Sequence, residues 1–286
     1  MIVDMHTHIF PDSMAAKVID KLSRTSKSVA FSDGTIAGLS SSMKESGINI
    51  SVILPVATNP HQVDKINEVS AELSYKYSNK SILSFGCIHP DCENYREILT
   101  KIKNLDLKGI KVHPVYQNTD VDDIKFLRIF ECAAELDLIV VTHAGLDIGF
   151  PGAIKCSPKM LRHVIDEVGD FKFILAHMGG WKNWEEVPEY LADTKAYIDT
   201  AFSTGFITPR ADSSWHKDDL KMLNAAQFMK IFDILGADRI IFGTDSPWSS
   251  QSESIKFIEQ LPIIMEDKDK ILGGNAIKLL NLVNDV

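Results

Sequence analysis

Cysteine is scarce in the 286-residue chain: Cys87, Cys92, Cys132 and Cys156 are its whole complement and no two form a CxxC pair. That is too sparse for a disulfide framework, so a reducing compartment is the simpler expectation, with buried filling as the ordinary role of these thiols. The opening MIVDMHTHIF has neither a basic leader nor a long apolar run, which argues against a signal peptide or membrane span, so a cytoplasmic location is expected. Positive charge is in deficit, with 30 Lys and Arg against 39 Asp and Glu for a net charge of −9, and no basic cluster stands out. A phosphate backbone would be repelled, so no nucleic acid partner is expected. No low-complexity tract, interdomain linker or repeat longer than one strand and one helix is visible. What remains, 45% hydrophobic and 24% charged, is a soluble globular chain.

Short apolar runs recur along the whole length, each followed by helical periodicity. They are IVDMHTHI from residue 2, ISVILPVA from 50, ILSFGCIH from 82, GIKVHPV from 109, LIVVTHAG from 138, FKFILAHM from 171, AYIDTAF from 196 and RIIFGTDS from 239. Between them Val63, Ile66, Val69 and Leu73 mark one helical stripe, Ile124, Leu127, Phe130 and Ala134 another, and Phe228, Ile231 and Leu235 a third. Near-continuous strands such as IVV and RIIF suit a parallel sheet covered by helices better than an alternating sandwich. Eight such units predict an α/β fold, a single-domain (β/α)8 TIM barrel over residues 1–286, with the doubly wound open sheet as the competing architecture. The first and last gaps between runs are the longest, and insertions of lid type are expected near 23–46 and 203–219.

Six of the nine histidines fall at predicted strand ends: His6, His8, His89, His113, His143 and His177. In a parallel barrel those ends share one rim, where chemistry is done. His6 and His8 are separated by one residue and leave an extended strand on the same face. The ordinary reading of an HxH pair is coincidence or satisfied core imidazole. His143, ending VVTHAG, and Asp245, in IIFGTDSPW on the strand that closes the barrel beside the first, turn the pair into a possible ligand set. Three imidazoles and a carboxylate suit Zn²⁺ and tolerate Mn²⁺, Fe²⁺ or Co²⁺, and water at such an ion ionises near neutral pH.

His177, in ILAHMGG, would polarise a substrate oxygen or orient the water; its plainer role is structural. Lys111 and His113 share a parity in GIKVHP. An inward lysine there can anchor a substrate carboxylate, pair with an acid, bridge two metals if carbamylated, or simply reach solvent along its own stem. His89 serves packing or substrate contact equally well. Trp181, Trp184 and Trp248 would wall the cavity or pack loops, and Arg210 would hold an anionic group or remain solvated. His61, His163 and His216 are expected at the surface.

DMHTHIFP, GIKVHP, THAG, AHMGG and GTDSPW, in that order, resemble the amidohydrolase superfamily over the whole chain. The resemblance is to its branch of short barrels that includes aminocarboxymuconate-semialdehyde decarboxylase and related decarboxylases, hydratases and lactone hydrolases. It implies His6, His8, His143 and Asp245 as ligands of a single divalent ion and His177 as the catalytic imidazole. In larger relatives a carbamylated lysine on strand 4 bridges two ions, and Lys111 lies close to that place. The sandwich domain of many relatives is not expected, because strand 1 begins at residue 2. Barrel deoxyribonucleases share HxH and a late aspartate, but the acidic balance opposes that reading.

The expectation is therefore a metal-dependent hydrolase, with one Zn²⁺ favoured over Mn²⁺ or Fe²⁺. It would use activated water on a small carboxylate-bearing ester, lactone or amide. Asp245 would carry the proton and His177 would steady the oxyanion. The alternative is a non-oxidative decarboxylase or hydratase acting on an unsaturated carboxylic acid with the same residues. A third possibility is a silent barrel that binds without turnover, whose expected sign, loss of Asp245 or His177, is not met. Homo-oligomerisation is left open.

Overall fold

A computed structural model describes residues 1–77 and 81–282. Every one of the eight apolar runs contains a strand. They are β1 (Val3–Thr7), β2 (Ile50–Ile53), β3 (Ile82–Ser84) with β4 (Gly86–Cys87), β5 (Gly109–Val112), β6 (Ile139–Thr142), β7 (Phe173–Leu175), β8 (Tyr197–Asp199) and β9 (Ile240–Ile241). The third run is split at Phe85, whose N–H turns to the carbonyl of Ile53. The helices are α1 (Asp12–Ser26), α2 (Ile36–Ser46), α3 (Val63–Lys76), α4 (Tyr95–Asn104), α5 (Ile124–Glu135), α6 (Pro158–Val168), α7 (Val187–Leu191), α8 (Ala225–Leu235), α9 (Gln251–Gln260), α10 (Met265–Asp269) and α11 (Asn275–Leu280). The three predicted stripes fall on α3, α5 and α8. By internal contacts the chain forms two compact units, Val52–Asp199 and Met1–Ser51 with the described part of Thr200–Val286.

In the Val52–Asp199 unit, β4 to β8 lie side by side in sequence order and all pair parallel, Gly86 facing Ile110, Ile110 facing Val140, Val140 facing Phe173 and Ile174 facing Tyr197. Parallel neighbours need a crossover, and α4, α5, α6 and α7 supply the ones between β4 and β8. Local chemistry fixes where two of these begin: Asp123 caps α5 by accepting from Lys125 N–H, and Ser157 caps α6 with Pro158 at its first position. The apolar face of α5 stacks Phe126 on Phe130 and lays Phe130 on Phe173, with Phe130 and Phe173 centroids 5.5 Å apart. Because helices cover the sheet, β5 and β6 are buried at every residue, polar Lys111 and Thr142 included.

In the other unit β1 is buried at all five positions. On one side Ile2 O accepts from Asn49 and Ile50 N–H; on the other, Met5 N–H donates to Phe242 O and Asp245 N–H to His6 O. The last strand therefore does run beside the first. An Asn224–Gln227 capping box starts α8, and Ser250 caps α9 immediately after the β9 turn. The stretch 23–46 is largely the end of α1 and the whole of α2, joined by a loop. That loop zips to the stretch 203–219 through a Ser28–Pro209 bridge, a Val29 N–H to Thr208 O bond and an Arg210 N–H to Lys27 O bond. Among the described residues no helix is long and apolar enough to cross a membrane.

Candidate metal centre and a second polar cluster

Alternation along β1 sends Asp4, His6 and His8 to one side of the strand. Past the end of β9 the chain turns at Asp245, a buried non-glycine residue with φ 64°. That left-handed backbone is disfavoured by roughly 1–3 kcal/mol for a residue with a Cβ, a strain that tends to persist at functional turns. It brings Oδ1 of Asp245 to 3.4 Å from His6 Nε2 and 3.0 Å from His8 Nε2. His6 is buried and His8 half-buried. The three donor atoms lie within 4.8 Å of one another. Ligands held about 2.1 Å from one ion stand about 3.0 Å apart at a right angle and about 3.4 Å apart at a tetrahedral angle. The observed separations match both a direct His–Asp contact and the spacing that a shared cation imposes, and the N, N, O donor set fits a divalent transition metal.

Behind this trio lies Asp4, fully buried. Its Oδ1 accepts from His6 N–H and Thr244 N–H and its Oδ2 from Thr244 Oγ1 and Gln251 Nε2. Burial still outweighs those bonds and pushes the Asp4 carboxyl up to about 6. Gly243 passes so close to His6 that a Cβ there would stand 2.8 Å from His6 Cβ, so glycine is required by the approach of the two strands.

The Val52–Asp199 unit carries a second polar cluster. His113, following β5, and His143, following β6, stack at 4.3 Å with their planes 16° apart, and Tyr116 stacks on the other face of His113 at 4.0 Å. Asp147 Oδ2 lies 3.5 Å from His113 Nε2. The donor atoms of His113, His143 and Asp147 also fall within 4.8 Å of one another. Burial first, then the charges of His113, His177 and Lys111, holds the His143 imidazolium well below its ordinary pKa, so this ring is neutral. Its Nε2 faces the Leu146 carbonyl at 3.0 Å and must donate; Nδ1 therefore accepts from His177 Nε2, also at 3.0 Å. His177 is clamped through its backbone, its N–H donating to Asp199 Oδ1 at 2.8 Å and its carbonyl accepting from Trp184 Nε1 at 3.0 Å. Like Asp245 it has positive φ, 60°. Gly145, φ 87°, lets the His143 loop run against the Trp181 backbone, with Trp181 N–H bonded to Ala144 O and Leu146 N–H to Trp181 O.

The remaining expected residues are placed as follows. Lys111 is buried in β5. His89 is buried after β4, its Nδ1 accepting from Asp91 N–H, and burial lowers its pKa. Trp181 is buried, and Trp248 is half-buried with its backbone N–H on Asp245 O. The Arg210 guanidinium lies against Asp212, with Nε 3.0 Å from Oδ1. His61, His163 and His216 are exposed, and all four cysteines are buried and free. Asp4, Tyr116 and Asp147 were missed by motif reasoning. Only Asp4 left a sequence signal, its parity with His6 and His8.

An α/β chain of parallel strands with buried His and Asp donors at the ends of β1 and β9 defines a metal-dependent enzyme class. The amidohydrolase family matches residues 3–282, and the chain belongs to that family. No curated protein matches it by sequence. Among solved structures it is similar to an uncharacterised TIM-barrel protein from Bordetella bronchiseptica, at TM-score 0.74 and 16% identity over 98% of both chains. It is similar to 5-carboxyvanillate decarboxylase from Sphingomonas paucimobilis, at TM-score 0.68 and 16% identity over 99% of both chains. It is also similar to a dihydroxybenzoic acid decarboxylase from Polaromonas sp. JS666 with bound manganese and the inhibitor 2-nitroresorcinol, at TM-score 0.68 and 16% identity over 98% of this chain and 97% of that one. These likenesses carry the fold, a (β/α)8 barrel.

Proposed function

We propose that the protein is a metal-dependent non-oxidative decarboxylase of a small, unsaturated or aromatic carboxylic acid. What supports this most is the His6–His8–Asp245 donor trio, two of its members buried, in a chain whose fold is shared, nearly end to end, with decarboxylases. The hydrolytic reading from the sequence gives way to its alternative, because the named enzymes among these structures break a C–C bond, while the first coordination groups are common to both chemistries.

The ion would be held by His6, His8 and Asp245; His143, which the family pattern implies as a third imidazole, has both ring nitrogens taken, Nε2 by the Leu146 carbonyl and Nδ1 by His177, and is not assigned to it. Zinc suits the donors, and manganese, present in the Polaromonas enzyme, is the competitor to test beside it. A divalent ion bound there would supply Lewis acidity to the site. Lys111 and His113 would hold the substrate's anionic group, the lysine giving charge and the imidazole direction. The flat Tyr116–His113–His143 stack suits a planar substrate. In its protonated form Asp245 would give its proton to the ring carbon as the bond to the carboxylate breaks and CO₂ leaves with the electron pair left on that carbon. His177, clamped at both backbone atoms, would donate to the developing negative oxygen. His89, Trp181, Trp248 and Arg210 are proposed at the edge of the substrate site, and the joined segments 23–46 and 203–219 as its cover.

The test is a panel of hydroxylated benzoates alongside esters and lactones, offered to chelator-stripped protein and to protein restored with Mn²⁺ or Zn²⁺. Metal-dependent CO₂ release from an aromatic acid is expected. Metal-dependent proton release from an ester or lactone, with no CO₂ from any acid, would return the reading to hydrolysis.

A further inference from the structure

Four hydrogen bonds converge on the Asp4 carboxylate, and three of them, from His6 N–H, Thr244 N–H and Thr244 Oγ1, come from the segments that present the donor trio. Two come from β1 and the β9 turn as backbone N–H groups, His6 at 3.2 Å and Thr244 at 3.0 Å, and converge on Oδ1. Two come from side chains, Thr244 Oγ1 at 2.6 Å and Gln251 Nε2 at 2.8 Å, and converge on Oδ2. Thr244 Oγ1 in turn accepts from Ser246 N–H at 3.1 Å, so the residues on either side of Asp245 hang from the same carboxylate. Gln251, buried at the start of α9, gives its amide nitrogen to Asp4 while its own Oε1 has no hydrogen-bond partner among the described residues.

A fully buried carboxylate is costly to hold and would be replaced without loss by an aliphatic side chain if packing were its only task. A strut that fixes two ligand-bearing segments in register has a different use. Outer-shell partners of metal ligands set ligand orientation and through it affinity.

We propose that Asp4 is a positioning residue for the metal: it fixes the spacing of His6 from Asp245, and metal affinity depends on it although it does not itself touch the ion. The proposal rests on the reading that His6, His8 and Asp245 hold a divalent cation.

The experiment measures Mn²⁺ binding to the full chain by competition with a chromophoric chelator, with thermal unfolding in EDTA recorded for each variant. Asp4→Asn keeps the shape but turns an NH₂ toward Thr244 and Gln251, and should bind Mn²⁺ about 10- to 100-fold more weakly. Thr244→Val should follow it, and Thr244→Ser, which keeps the hydroxyl, should restore most of the affinity. Asn275→Ala is the structural control. It removes bonds from Asn275 Nδ2 to Ala237 O and Ile240 O on the same strand's approach, and should lower the melting temperature while leaving Mn²⁺ affinity at the wild-type value. Asp4→Asn that melts lower yet binds Mn²⁺ as tightly as wild type would overturn the positioning role and leave the metal reading standing. Should Asp4→Asn not fold, Gln251→Leu decides: severalfold weaker binding supports the role and unchanged binding overturns it. Wild-type protein that binds neither Mn²⁺ nor Zn²⁺ would overturn both.

Discussion

Replacing Gly243 by alanine should weaken the proposed metal centre without replacing a ligand. The new methyl would stand 2.8 Å from His6 Cβ, where carbon atoms in contact sit about 3.5–4.0 Å apart, so close to 1 Å of overlap has to be relieved. Neither side yields easily. Gly243 N–H and carbonyl both bond Thr200 Oγ1, at 3.1 and 2.8 Å, and His6 O receives Asp245 N–H at 2.8 Å. Overpacking of this kind costs about 1–3 kcal/mol. At roughly 2–4 °C per kcal/mol for a chain of this class, the metal-free protein should melt about 2–12 °C lower. Movement of His6 also disturbs its 3.4 Å spacing to Asp245, and a tenfold loss of affinity would remove about 1.4 kcal/mol of the stabilisation that saturating metal gives. Differential scanning fluorimetry in EDTA and over a Mn²⁺ titration reads both effects. Gly274→Ala, whose Cβ meets nothing closer than 3.4 Å, should be neutral or slightly stabilising. The reasoning is refuted if Gly243→Ala melts with wild type in EDTA and keeps the full metal-induced shift.

Asp245→Asn should abolish CO₂ release with circular dichroism unchanged; measurable turnover at the wild-type rate would remove Asp245 from the proton path. His177→Asn should cut kcat about 10²- to 10⁴-fold while metal stoichiometry by elemental analysis stays at the wild-type value, and loss of the metal instead would make His177 a ligand. The thiols should be silent in the native state, since burial pushes Cys87 up to about 12 and raises Cys92, Cys132 and Cys156 as well. Titration with a disulfide reagent at pH 8 should find no fast-reacting thiol until denaturant exposes all four, and a native fast phase would contradict the burial.

The strands were legible because parallel strands buried on both faces leave unbroken β-branched runs, as IVV in β6 and II in β9 show. The break at Phe85 was not, since ILSFGCIH is continuous as a pattern and only the pull of Ile53 O on the Phe85 N–H divides it. The stretch 23–46 reads as a Ser-rich loop, but α1 and α2 occupy most of it. Thr35 caps α2 and Gly47, φ 72°, ends it, so local signals were present beneath a composition that hides them. His6, His8 and Asp245 were legible as motifs on strand ends. Asp147 and Tyr116 were not, because each lies on a loop and reaches His113 only through the folded path of the chain. Asp4 shares the parity of His6 and His8, yet a buried acid in a strand gives no hint of its donors until Thr244 and Gln251 are brought to it. The choice between hydrolysis and decarboxylation is invisible in the proposed ligand residues, which would serve both.

The most direct measurement is anomalous diffraction at the manganese edge from crystals grown with Mn²⁺. A peak is predicted about 2.0–2.3 Å from the Nε2 atoms of His6 and His8 and from Asp245 Oδ1. Mn²⁺ scattering elsewhere, with those three atoms still in direct contact and no density between them, would contradict the account.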